Sequence, residues 1–132
     1  MVRTENKRID PKRKKITRLQ VTLSLCEQSP DLYVLEKFVM AVNSLATGPG
    51  KVQDRLIDAY LDIHVIRLVQ MPKELRDDFR WVTEMLTRRE PRYRGQGRLY
   101  ASLARMRNRT GVTIAQRIVY IKEKLETLCR SG

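Results

Sequence analysis

"LYVLEKFVMAVNSLATGPGKVQDRLIDAYLDI", residues 32–63, reads as two amphipathic helices parted by a turn. Leu32, Leu35, Phe38, Val39, Val42 and Leu45 recur every three or four residues, the spacing of a helix that buries one side. Ser29-Pro30-Asp31 ahead of them is a helix start: a serine N-cap, a proline where no N–H is needed, and an acid at the positive end of the dipole. This helix is expected to run from 29 to about 46. "TGPG" (47–50) stops it, with Gly48 expected in the left-handed cap and Pro49 beyond. A second helix is expected over 51–70. Val52, Leu56, Ala59, Tyr60, Ile63 and Ile66 line its buried side, and Ile57, Leu61, Val65 and Leu68 widen it, so it is expected at the centre of the bundle. Asp54, Asp58 and Asp62 form a narrow acidic stripe on the same helix.

The pattern continues toward the C-terminus. Pro72 opens a third helix with Glu74 in its first turn and Leu75, Phe79, Val82 and Leu86 inward, ending near Arg88-Arg89. "EPRYRGQG" (90–97) is a loop by its proline and two glycines. A short helix over about 98–108 is expected to break at "RTG", on Gly111. The last helix then covers about 112–129. Its Ile114, Ile118, Ile121, Leu125 and Leu128 form a seam suited to another helix, of this chain or of a second copy.

Toward the N-terminus the period changes. In "ITRLQVTLSLC" (16–26), Leu19, Val21, Leu23 and Leu25 alternate with Arg18, Gln20, Thr22 and Ser24, the mark of a short strand over 17–25. A lone strand in a helical chain pairs with a second copy, packs as an extended arm, or turns out helical. Residues 1–15 are almost without apolar content and read as a flexible tail. The expected organisation is a basic N-terminal arm over 1–28, partly flexible, and a single helical domain over 29–132. The fold class is all-α: a small bundle of four to five helices with an extended or β-like basic arm.

A chain of 132 residues suits one domain and needs neither disulfide nor metal to fold. With 42% apolar and 32% charged residues, the composition is globular rather than disordered. Cys26 and Cys129 match no metal spacing, and free thiols in a reducing cytoplasm are expected. The polar, basic start has no apolar run behind it, so no secretory signal is expected. No stretch approaches the length of a membrane span, and no membrane association is expected.

The net charge of +12 is concentrated in two blocks. Residues 1–18 hold eight lysines and arginines against two acids. Residues 88–109 hold eight arginines against Glu90 alone. Between them, residues 19–87 are slightly acidic, with ten acids and seven basic residues. On a continuous helix at about 100° per residue, Arg98, Ser102, Arg105 and Arg109 fall within about 60° of one another, to one side of Leu99, Leu103 and Met106. That arrangement projects a stripe of guanidiniums. Arg88, Arg89, Arg92 and Arg94 extend it. Arginine suits phosphate because its planar fork bonds two oxygens at once and keeps its charge when partly desolvated. "GQG" (95–97) lets backbone amides approach an anion, and Tyr93 and Tyr100 are placed to stack on unpaired bases.

The candidate nucleic-acid-binding residues are therefore Arg88, Arg89, Arg92, Arg94, Arg98, Arg105 and Arg109, with Lys12, Arg13, Lys14 and Lys15 of the tail adding phosphate contacts. Against this stand two other readings: neutralisation of the block by the Asp54/Asp58/Asp62 stripe together with solvent, and an acidic protein partner.

Nothing in the sequence composes a catalytic site. No Ser/His/Asp, Cys/His, Walker or HExxH arrangement is present. His64 falls about 200° around the helix from Asp62, so the two do not share a face. The acidic stripe lacks ligands from elsewhere for a hard cation, and neither metal nor cofactor is expected. Trp81 and the five methionines read as packing residues. The expected function is a small basic non-enzymatic protein binding nucleic acid through an arginine-rich surface. The alternatives are a protein–protein adapter or assembly subunit with an acidic partner, and a transcriptional regulator. A homodimer through strand 17–25 or helix 112–129 is a further expectation.

Two resemblances bear on these alternatives. "KKITRLQVTLS", "LYVLEKFV" and "QDRLIDAYL", over residues 15–62, resemble a ribbon-helix-helix DNA-binding domain. The resemblance implies a strand paired with that of a second copy, with Arg18, Gln20 and Thr22 as the outward readers of the major groove. The chain departs from that pattern in a longer first helix and in extra residues between strand and helix. The rest of the helical body, from "LATGPGKVQDRLIDAY" to "GRLYASLARMRNRTGVTIAQRI", is similar to small uncharacterised bacterial proteins, which implies one folding unit and no particular activity.

Overall fold

The computed structural model describes residues 32–131. The tail lysines, the Ser29-Pro30-Asp31 start and the expected strand over 17–25 lie outside them. Five α-helices follow in order: α1 (Leu32–Thr47), α2 (Val52–Ile63), α3 (Arg76–Thr87), α4 (Arg98–Ala104) and α5 (Asn108–Ser131). Single 3-10 turns at Leu68–Gln70 and Lys73–Leu75 lead from α2 into α3. Among the described residues there is no strand, and the all-α class holds.

The apolar spacing of α5 explains its place. Ile114, Ile118, Ile121 and Leu125 are all fully buried, and α5 packs against α1, α2 and α3. The seam read from the sequence is thus filled from within the chain. Phe38 of α1 meets Phe79 of α3 edge to face at 6.0 Å within the buried core. That is the geometry which sets the positive ring edge against the negative face. The short α4 packs against α3 and α2. One continuous core joins all five helices.

The turn between α1 and α2 differs from expectation in detail. The left-handed residue is Gly50, at φ 82°, rather than Gly48. Gly48 continues the helical bonding, its N–H donating to the Ser44 carbonyl at 2.9 Å. What excludes a side chain at 48 is space: a Cβ there would lie 2.7 Å from that carbonyl oxygen and 2.9 Å from Arg55 Cγ. Arg55 itself reaches back, Nη1 donating to the Leu45 carbonyl at 2.9 Å, and so ties the end of α1 to α2. Asp54 accepts the Lys51 N–H at 3.0 Å and closes the first turn of α2.

Two expected helix boundaries are corrected. The second helix ends at Ile63 instead of continuing to 70, with His64 as its C-cap. Residues beyond that point lose the helical phase, so Val65 and Leu68 face outward, and Leu61 is 52% exposed because the buried side is Val52, Leu56, Ala59 and Ile63. The break between the last two helices lies at 105–107, and Gly111 sits inside α5. Gly111 does not end a helix there; it permits a close crossing. A Cβ at 111 would stand 2.9 Å from Val52 Cγ1, so the first turn of α5 packs directly on the side chain of Val52, which opens α2.

Candidate nucleic-acid interface

All eight arginines of residues 88–109 are exposed. Their arrangement follows from where the helices stop. Thr87 ends α3, which puts Arg88 and Arg89 at its exit. Ala104 ends α4 and Asn108 begins α5, which puts Arg105 and Arg107 in the intervening turn. These two places face each other across a cleft of about 230 Å³, lined by the four arginines with Met85, Ser102, Met106 and Thr110.

A buried hydroxyl holds the two walls together. Ser102, expected on the outward stripe, is only 4% exposed. Its Oγ accepts the Arg89 backbone N–H at 3.0 Å, joining α4 to the exit of α3. Its own proton finds no acceptor among the described residues, and it lies on the cleft wall. Thr110, in the first turn of the 24-residue α5, brings that helix's positive end to the same place.

Neutralisation inside the fold is slight. Among the described residues the block makes one ion pair, Arg98 Nη2 to Glu90 at 2.8 Å, and both partners are exposed. The acidic stripe is engaged elsewhere or exposed to solvent. Asp54 caps α2, Asp62 accepts the Ser44 hydroxyl at 3.0 Å, and Asp58 is exposed. Arg88 Nη1 donates to the Met85 sulfur at 3.4 Å and meets no carboxylate among the described residues. Arg89, Arg105 and Arg107 meet no carboxylate among the described residues. Four like charges around one opening set up a focused positive potential.

Of the residues anticipated from the sequence, Arg88, Arg89 and Arg105 come together at the cleft. Arg92 and Arg94 lie on the 90–97 loop and Arg109 on the first turn of α5, all exposed and none lining the cleft. The Arg98/Arg105/Arg109 stripe does not form, because no helix runs through 105–107. Arg107 was the residue missed: on a continuous helix it falls about 180° from Arg98 and points away. The signal for it was Asn108, a residue type that starts helices, one step beyond. Lys12, Arg13, Lys14 and Lys15 lie outside the described residues.

The remaining candidates have structural surroundings. His64 stacks on Tyr60, ring centroids 5.6 Å apart, with Nδ1 at 2.9 Å from the Leu61 carbonyl. Trp81 lies under the Arg117 guanidinium at 4.5 Å, and Arg117 Nη1 bonds Asp78 at 3.0 Å. Among the described residues no group of three or more His, Cys, Asp or Glu is gathered as a metal site. None of their helices is long and apolar enough to cross a membrane. Comparison with known protein families, curated proteins and solved structures gave no match.

Proposed function

We propose that the chain is a non-enzymatic nucleic-acid-binding protein that holds backbone phosphates between Arg88, Arg89, Arg105 and Arg107. The observation that carries this reading is the cleft itself: four exposed guanidiniums converge on it, and none has a carboxylate partner among the described residues. Guanidinium forks match phosphate oxygens in pairs, and the folded helices hold these forks near one another before any ligand arrives. Arg92, Arg94, Arg98, Arg109 and the tail Lys12, Arg13, Lys14 and Lys15 extend the contact along a strand.

The test is fluorescence anisotropy with labelled single- and double-stranded DNA and RNA at low and moderate salt. The full chain is compared with an R88A/R89A/R105A/R107A variant. Far-UV circular dichroism verifies that the variant is folded, which is expected because all four side chains are exposed. Binding that weakens steeply with salt and is largely lost in the variant is the expected result. Undiminished binding by the folded variant would remove the cleft from the reading. No binding at low salt, with nuclease-insensitive capture of an acidic protein, would replace it with the adapter role.

A further inference from the structure

Next to the arginine cleft lies a second opening of about 350 Å³, whose walls include Tyr93, Tyr100, Gln53, Ile57, Leu103 and Met106. Met106 lines both openings, so they adjoin at that residue. Tyr93 and Tyr100 are 66% and 54% exposed, two large rings left in solvent on opposite sides of the 95–97 glycine turn. We infer that this tyrosine pocket receives an unpaired nucleobase while the adjoining arginines hold its strand's phosphates, so that the ligand is single-stranded nucleic acid rather than a duplex. The inference rests on the nucleic-acid reading above and narrows its ligand class.

Three features support it. The faces of paired bases are covered by their stacked neighbours, and only an unpaired base has a face free to lie on an aromatic ring. A nucleotide carries its base one sugar away from its phosphate, and the ring-lined pocket adjoins the guanidinium-lined cleft at Met106. Gln53, one of the residues lining the pocket, also carries a polar atom in need of a donor. Gln53 Nε2 donates to the Met106 carbonyl at 3.0 Å, which fixes the amide's orientation. Gln53 Oε1 is then left buried without a donor among the described residues. Each nucleobase carries at least one N–H on its Watson–Crick edge, free in an unpaired base, of the kind that oxygen lacks. The acid on the rim, Asp54, is already committed to the Lys51 N–H at 3.0 Å, and Lys51 itself lines the pocket.

The experiment compares the full chain with Y93A/Y100A and Y93F/Y100F against three probes: a mixed-sequence single-stranded oligonucleotide, the matching duplex, and a polyphosphate chain that has charge but no bases. Loss of base stacking is expected to weaken single-strand binding about 5- to 150-fold in Y93A/Y100A. Y93F/Y100F keeps the rings and is expected to restore it. Polyphosphate and duplex affinities are expected to stay where they are. Single-strand binding that is indifferent to Y93A/Y100A, or a loss shared equally by polyphosphate, overturns the base pocket and leaves the phosphate cleft standing. Absence of binding to both nucleic-acid probes at low salt overturns the pocket and the proposed function together.

Discussion

Replacing Gly111 with alanine sets two effects of opposite sign against each other. Within a helix, alanine is favoured over glycine by about 0.5–1 kcal/mol, since glycine loses more backbone freedom on folding. The new methyl group, however, would stand 2.9 Å from Val52 Cγ1, with Leu56 Cδ1 at 3.5 Å and Met106 Sδ at 3.8 Å. The last two are ordinary contacts; the first is not. Val52 opens α2, is 8% exposed, and as a β-branched residue has little freedom to rotate aside. Overpacking of this kind costs about 1–3 kcal/mol. The expected balance is a loss of about 1 kcal/mol, or roughly 5 °C in Tm for a domain of this size. Urea denaturation followed by circular dichroism measures it. The same substitution in a V52A background meets no Cγ1 and is expected to stabilise by the helix-propensity term, so the double-mutant cycle isolates the clash. If G111A stabilises the parent protein as much as it stabilises V52A, α5 does not cross α2 as closely as described.

Three further outcomes are expected. Ser102→Ala removes the acceptor of the Arg89 N–H and is expected to cost about 1 kcal/mol by chemical denaturation, with weaker polyanion binding as the cleft walls loosen. Arg117→Ala, which strips both the Trp81 stack and the Asp78 ion pair, is expected to cost about 1–2 kcal/mol and to alter tryptophan fluorescence. Arg117→Lys keeps the charge without the flat stack and is expected to recover only part of that. For single-stranded ligands, each phosphate neutralised adds about −0.7 to the slope of log affinity against log salt, so R88A/R89A/R105A/R107A is expected to flatten that slope by up to about 2.8. A slope unchanged in the variant would mean that these guanidiniums touch no phosphate.

The parts of the fold that could be read from the sequence are those where repetition carries the information. Ile114, Ile118, Ile121 and Leu125 declare a buried seam by spacing alone, as do Phe38 and Leu45 in α1 and Phe79, Val82 and Leu86 in α3. Single residues with two physical uses were harder. Glycine both ends helices and admits close neighbours; at 111 the neighbour, Val52, is distant in sequence, so a local reading took the first use. That one boundary displaced the candidate site. It made a stripe of Arg98, Arg105 and Arg109 where the chain instead turns, and it hid Arg107. Ser102 shows the same limit: a small polar residue among arginines reads as surface until a backbone N–H thirteen positions earlier is found to need it. The concentration of charge in 88–109 was legible; which of its members converge depends on contacts between helices that no local pattern encodes.

Holding Arg88, Arg89, Arg105 and Arg107 around one opening has a consequence for the empty protein. Their mutual repulsion opposes folding, and it is relaxed when the chain opens. Dissolved ions shield that repulsion, so moderate salt is expected to raise the melting temperature of the unliganded protein while it lowers affinity for a phosphate chain. The same cluster would then give opposite ionic-strength responses in the two states, and a bound polyanion would protect the fold most strongly where salt protects it least.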